Sequence, residues 1–123
     1  MYEVEFYRDK NGKSEIVEYL DDLATKGITS KTDRINRDKI LAYMIALQQS
    51  VTRIGQPVVK HIDDSIWELR PINNRIFFFY WKDNKFVLLH HFIKKTNKTP
   101  QCEIDNARAK MKDLIEKQGE WYG

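Results

Sequence analysis

Apolar and polar positions alternate at the start of the chain, over Tyr2-Glu3-Val4-Glu5-Phe6-Tyr7, and a period of two is that of a half-buried strand. Asn11-Gly12 marks a turn. The period then becomes helical. Ile16, Val17, Leu20, Leu23 and Ala24 share one face, Ser14 stands at an N-cap position, and Gly27 ends the run. A second helix is predicted from near Ser30, with Asp33 three residues on, through Ile35, Ile40, Leu41, Met44, Ile45 and Leu47. Gly55-Gln56-Pro57 closes that region.

Strand patterns follow at Ile66 to Arg70, Arg75 to Trp81 and Phe86 to about Lys94. Pro71 to Asn74 forms the first turn between them, with Asn73-Asn74 suited to the positive φ of tight hairpins, and Asp83-Asn84 forms the second. Such a run reads as an antiparallel meander. Thr99 and Pro100 read as the N-cap and first residue of a last helix, whose apolar face is Ile104, Ala107, Met111, Leu114 and Ile115. The predicted class is α+β: an antiparallel sheet with an N-terminal helical pair and a C-terminal helix. Consecutive Phe77-Phe78-Phe79 must serve both faces of that sheet, which predicts helices on one side and a partner on the other.

Composition narrows the class further. A chain of 123 residues fits one domain, residues 1–123. Hydrophobic residues at 41% and charged residues at 32% suit a globular chain rather than a disordered one. Cys102 is the single cysteine, and no Cys/His group has zinc-ligand spacing, so neither metal nor cofactor is expected. No apolar run reaches membrane-spanning length, so the expected location is the cytoplasm, with no membrane partner.

The net charge of +3 is unremarked by itself, but its distribution is uneven. Residues 1–50 hold 8 Lys+Arg against 9 Asp+Glu, residues 51–99 hold 9 against 4, and residues 100–123 hold 4 against 5. The surplus of five in the middle stretch marks a place for an anionic partner. A lysine-rich strand edge that deters edge pairing gives the same count.

Two segments carry a resemblance. One is Ile66-Trp67-Glu68-Leu69-Arg70 with Arg75-Ile76-Phe77-Phe78-Phe79-Tyr80. The other is Leu88-Leu89-His90-His91-Phe92-Ile93-Lys94-Lys95-Thr96-Asn97-Lys98-Thr99-Pro100, continuing to Glu103-Ile104 and Ala107-Arg108. In order and spacing they resemble the phage-derived, HigB-like branch of the RelE/HigB/ParE toxin superfamily. Residues 1–60 match that branch only in pattern. The resemblance implies a RelE-like fold and a toxin of a type II toxin–antitoxin system. It further implies a ribosome-dependent, metal-independent mRNA endonuclease that inhibits translation. The implied partners are mRNA on the ribosome and a cognate helix-turn-helix antitoxin, through which alone promoter DNA would be bound. The same fold also serves toxins that inhibit a protein such as DNA gyrase, and a basic binding module without enzymatic activity fits the charge pattern too.

In the implied reaction the ribose 2′-OH attacks the adjacent phosphate and the 5′-oxygen leaves. This requires a proton acceptor, cations to stabilise the transition-state charge, and a donor for the leaving oxygen. The resemblance places Arg75 at a phosphate-binding position, and Arg70 lies across the hairpin from it. Lys94 and Lys95 close the third strand and point to opposite faces if it stays regular. Lys98 precedes a helix N-terminus, where an anion would relieve its charge. His90 and Glu68 are the proton-transfer candidates; Glu68 equally fits a salt-bridge partner that orients Arg70. Arg75, Lys95, Lys94, His90 and Glu68 thus form the catalytic set. Arg70, Lys98, Lys60 and Tyr80 form the RNA-contact set, with Tyr80 a stacking residue or a sheet-core tyrosine. Better-known relatives carry lysine in the Glu68 region and a tyrosine early in the last helix. Gln101 to Ile104 hold no tyrosine, which leaves the general base and acid open.

Overall fold

The computed structural model describes residues 2–49, 59–63 and 65–122. Gly55-Gln56-Pro57 lies outside them. The described elements are β1 (Glu3–Phe6), α1 (Glu15–Lys26), α2 (Lys31–Gln49), β2 (Val59–Asp63), β3 (Ile66–Leu69), β4 (Asn74–Trp81), β5 (Lys85–Ile93) and α3 (Gln101–Tyr122). The strands form one sheet in the order β1-β5-β4-β3-β2.

The α+β class holds, but the sheet is mixed rather than antiparallel. β2 to β5 pair antiparallel in sequence order, while β1 lies parallel to β5, Val4 opposite Phe86. Alternation reveals a strand but not the direction of its neighbour. The helical pair and the rest of the sheet separate β1 from β5, and such long excursions permit parallel pairing. β2 was also absent from the sequence pattern. Val59-Lys60-His61-Ile62-Asp63 does not alternate cleanly, and its pairing with β3 shifts between His61 and Asp63.

Local chemistry sets the helix starts. The Ser14 hydroxyl accepts from the Val17 N–H at 3.3 Å, and the Ser30 hydroxyl accepts from that of Asp33 at 3.3 Å. Gly27 ends α1 for reasons of space: a Cβ there would stand 2.9 Å from the Leu23 carbonyl oxygen and 3.2 Å from Arg34 Cα. α3 begins at Gln101, one residue later than expected, and the Glu103 N–H bonds the Pro100 carbonyl at 3.1 Å.

Both faces of the sheet are covered by this chain itself. Ile16, Leu20, Leu23, Ile40 and Leu47 of α1 and α2 pack on Leu69, Ile76, Phe78, Phe86 and Leu88. On the other face Ala107, Ile104, Met111 and Leu114 of α3 pack on Ile66, Phe77, Phe79, Val87 and Leu89. The phenylalanine run therefore serves both faces as its pattern requires, but α3 takes the place expected for a partner.

Two backbone details steer the site. The β4–β5 register shifts so that Phe77 opposes His90 while Phe78 opposes Leu88. Leu89 is the extra residue of a bulge, which reverses the alternation beyond it. His90 consequently joins Leu89 on the α3 face, and His91 turns to the α1–α2 face. In the β3–β4 turn the positive φ falls on Ile72, at 59°, and not on Asn73 or Asn74. A β-branched residue held there costs about 1–2 kcal/mol. Asp83 and Asn84 carry the positive φ of the second turn, a role their side chains tolerate.

Candidate functional site: a buried carboxylate under a cationic rim

One end of the α3 face gathers most of the charged candidates. Across the sheet, Lys60 of β2 pairs with Glu68 of β3, Glu68 with Phe77 of β4, and Phe77 with His90 of β5. Paired residues project to the same side. One row further out stand Arg70 and Arg75, the latter paired with Phe92. Lys94 completes the edge, its N–H bonded to the Asn73 carbonyl at 2.8 Å. Glu68, Arg70, Arg75, Lys94 and Lys60 thus surround one point, and all four cations act electrostatically on the Glu68 carboxylate.

The cluster has an inside and an outside. Glu68 is 1% exposed, and its Oε1 lies 3.6 Å from Arg70 Nε and 3.8 Å from Arg75 Nε. Its Oε2 is buried with no hydrogen-bond partner among the described residues. Arg75 is also buried, and its Nη1 donates to the carbonyls of Ile72 at 2.9 Å and Asn74 at 2.8 Å. Arg70 and Lys94 reach solvent in part, and Lys60 is exposed. Burial pushes the Glu68 carboxyl above its ordinary range, opposed first by Arg75 and then by Arg70, Lys94 and Lys60. Burial lowers Arg75, against the pull of Glu68. At these separations an ion pair gains about 4 kcal/mol at an effective dielectric of about 20. Desolvation costs several kcal/mol per ion, so the buried pair is near break-even as a whole, whereas loss of one partner costs about 3–5 kcal/mol.

The remaining candidates are distributed elsewhere. His90 shares the α3 face but lies two strands from Glu68, about 10 Å away. Its Nε2 stands 3.3 Å from Glu103 Oε2, and its Nδ1 is 2.9 Å from Lys110 Nζ, which also pairs with Glu15 at 3.0 Å. Burial and then Lys110 lower the His90 pKa, against Glu103 and Glu15. A neutral ring meets all of this: Nδ1 accepts from Lys110 and Nε2–H donates to Glu103. Both nitrogens are committed to tying β5 to α3. Lys95 and Lys98 are exposed past the end of β5. Tyr80 occupies the opposite face at the far end of β4, about 16 Å along the strand from Arg75. It packs on Tyr2 and Phe86 and donates to Asn84 Oδ1 at 3.2 Å. The geometry separates Tyr80 from the cationic set.

Directly behind the site is a neutral network that the sequence did not announce. Asn74 is 1% exposed. Its Oδ1 accepts from the Tyr19 hydroxyl at 3.0 Å and stands 3.0 Å from His91 Nε2. Its Nδ2 donates to Asn36 Oδ1 at 2.7 Å and to the Pro71 carbonyl at 3.1 Å. Tyr19 stacks on His91 with ring centroids 4.0 Å apart. Burial and the neighbouring His90 bring His91 down to about 4, so it is neutral here and donates to Asn74. An asparagine after Asn73 reads as turn chemistry, and nothing in the linear pattern distinguishes a buried hub. Arg108 of α3 and Asp63 of β2 form a further ion pair that ties the edge strand to the last helix.

The chain is a small α+β domain with a mixed sheet, and its charged side chains gather at the end of one hairpin. The phage-derived protein Gp49-like family (DUF891) matches residues 18–112, and the chain belongs to that family, which falls in the RelE-like group of type II toxin–antitoxin toxins. No curated protein matches the chain closely enough to serve as a relative. Among the described residues no helix is long and apolar enough to cross a membrane.

Proposed function

We propose that this protein is the toxin of a type II toxin–antitoxin pair and that it cleaves mRNA on the ribosome. One observation carries the reading: four cations from four successive segments of the sheet crowd around a single carboxylate at an open end. Several cations on a rigid frame suit a phosphodiester, whose transition state gains negative charge. The ribose 2′-oxygen forms a bond to phosphorus as the bond to the 5′-oxygen breaks. The products are a 2′,3′-cyclic phosphate and a 5′-hydroxyl, and the 2′-OH proton is conserved in the exchange. Arg70, Lys94 and Lys60 stabilise the charge, with Lys95 and Lys98 meeting neighbouring phosphates. A helix-turn-helix antitoxin holds the toxin in check and carries any contact with promoter DNA.

The test is a translating bacterial extract given purified protein. Cleavage of a reporter mRNA within its reading frame, lost in Arg70→Ala/Lys94→Ala, is the expected result. Arrest of growth on expression with mRNA intact would move the target to a protein such as gyrase. Absence of any growth defect would leave a binding module without toxicity.

A further inference from the structure

We infer that Glu68 is a positioning residue, and that Arg70, rather than Arg75, is the guanidinium that meets the RNA phosphate. The inference deepens the proposed function and rests on that site binding RNA. Three observations lead to it. First, a carboxylate 1% exposed has no path to a ribose hydroxyl, so Glu68 does not exchange a proton with substrate. Second, Arg75 has a side chain only 10% exposed, and its Nη1 is spent on two carbonyls of its own hairpin. Third, Arg70 stands on the same Glu68 oxygen but with a side chain 26% exposed.

The geometry therefore has two layers. Glu68 and Arg75 form a floor. Arg70 lies over that floor with its Nε 3.6 Å from Glu68 Oε1, an ion-pair separation that draws the guanidinium toward the carboxylate. A guanidinium held near its carboxylate gives up less freedom when a phosphate arrives than an unrestrained one would. The carboxylate also offsets the repulsion between Arg70 and Arg75, which both lie within 4 Å of Oε1. Lys94 and Lys60 flank the outer layer on either side. A phosphate that approaches this end meets Arg70 before Arg75 and never touches Glu68.

The test is the salt dependence of binding to a ten-nucleotide single-stranded RNA, alongside urea unfolding. Neutralising one phosphate contact lowers the slope of log K against log salt by about 0.7 for a single strand. Arg70→Ala is expected to lose about that much slope and to unfold at nearly the wild-type urea concentration. Glu68→Asp keeps the buried charge but withdraws it by one methylene, so it remains folded. It is expected to weaken RNA binding several-fold at moderate salt and to have no further effect once Arg70 is alanine. That non-additivity is the signature of acting through Arg70, and a purely structural role would not produce it. An unchanged slope in Arg70→Ala overturns the assignment of the phosphate contact. Equal losses from Glu68→Asp with and without Arg70 overturn the positioning role. RNA binding that follows the prediction without mRNA cleavage would remove the nuclease reading and leave this one standing.

Discussion

Asn74 and Arg75 are neighbours on one strand, yet they serve opposite faces with opposite chemistry. Behind the sheet, Asn74 joins Tyr19, Asn36 and His91 in a neutral network whose bonds lie between 2.7 and 3.4 Å. In front, Arg75 and Glu68 lie 3.8 Å apart, with the Glu68 Oε2 lacking a hydrogen-bond partner among the described residues and three more cations around it. The first arrangement satisfies its groups and holds the helical pair to the sheet. The second gathers four cations about one carboxylate at an exposed end, an expense that stability does not call for. Buried neutral networks specify a fold, whereas an excess of like charge on a rigid frame marks a site.

That contrast breaks most sharply at Arg75. Arg75→Ala leaves Glu68 buried without its deeper counterion, and unfolding in urea should show a loss of about 3–5 kcal/mol. Arg70→Ala, on the outer layer, should lose less than about 1 kcal/mol by the same measurement. Similar losses for both would collapse the two-layer distinction.

On the neutral side, acid is the lever. His91 has its pKa depressed from 6.5 to about 4 in the folded chain. Its contribution is therefore complete above about pH 6.5 and is lost as pH falls towards 4. Linkage sets that contribution at up to about 3 kcal/mol. Stability measured across this window should fall more steeply for wild type than for His91→Gln, which can donate to Asn74 but does not titrate. Parallel curves would mean that His91 is not held neutral.

Asn74→Ala removes the hub and strands the Tyr19 hydroxyl and the Asn36 amide. A loss of about 2–3 kcal/mol is expected in urea unfolding, with the salt slope of RNA binding unchanged. A changed slope would show that the two faces are coupled. The smallest effect is expected at the hairpin tip. Ile72→Asn relieves a left-handed β-branched residue and should raise stability by roughly 1 kcal/mol, read as a higher urea midpoint; a lower midpoint would mean that the exposed isoleucine is packed in solution.

Much of this architecture was legible in the chain. Ser14 and Ser30 cap the helices that their positions announce, and the phenylalanine run divides between two faces because a strand leaves it no choice. The charge surplus in residues 51–99 points to the hairpin where Arg70, Arg75 and Lys94 meet. Other features depend on tertiary packing. The parallel pairing of β1 follows from what lies between β1 and β5, not from its alternation. A single bulge at Leu89 sets the face of His90, and no periodicity argument foresees an inserted residue. Arg75 and Arg70 are the same residue type flanking the same turn, and only depth separates their roles. Glu68 was legible as base or as partner, and its burial favours the second.

The most direct measurement is 5′-end mapping of cellular mRNA after brief induction of wild type, Arg70→Ala and Tyr80→Ala. Tyr80 lies on the opposite face and serves as the control. New 5′ ends inside translated frames for wild type and Tyr80→Ala, absent for Arg70→Ala, are the predicted result. No new ends with wild type, or ends that persist in Arg70→Ala, would contradict the cationic rim as the site of cleavage.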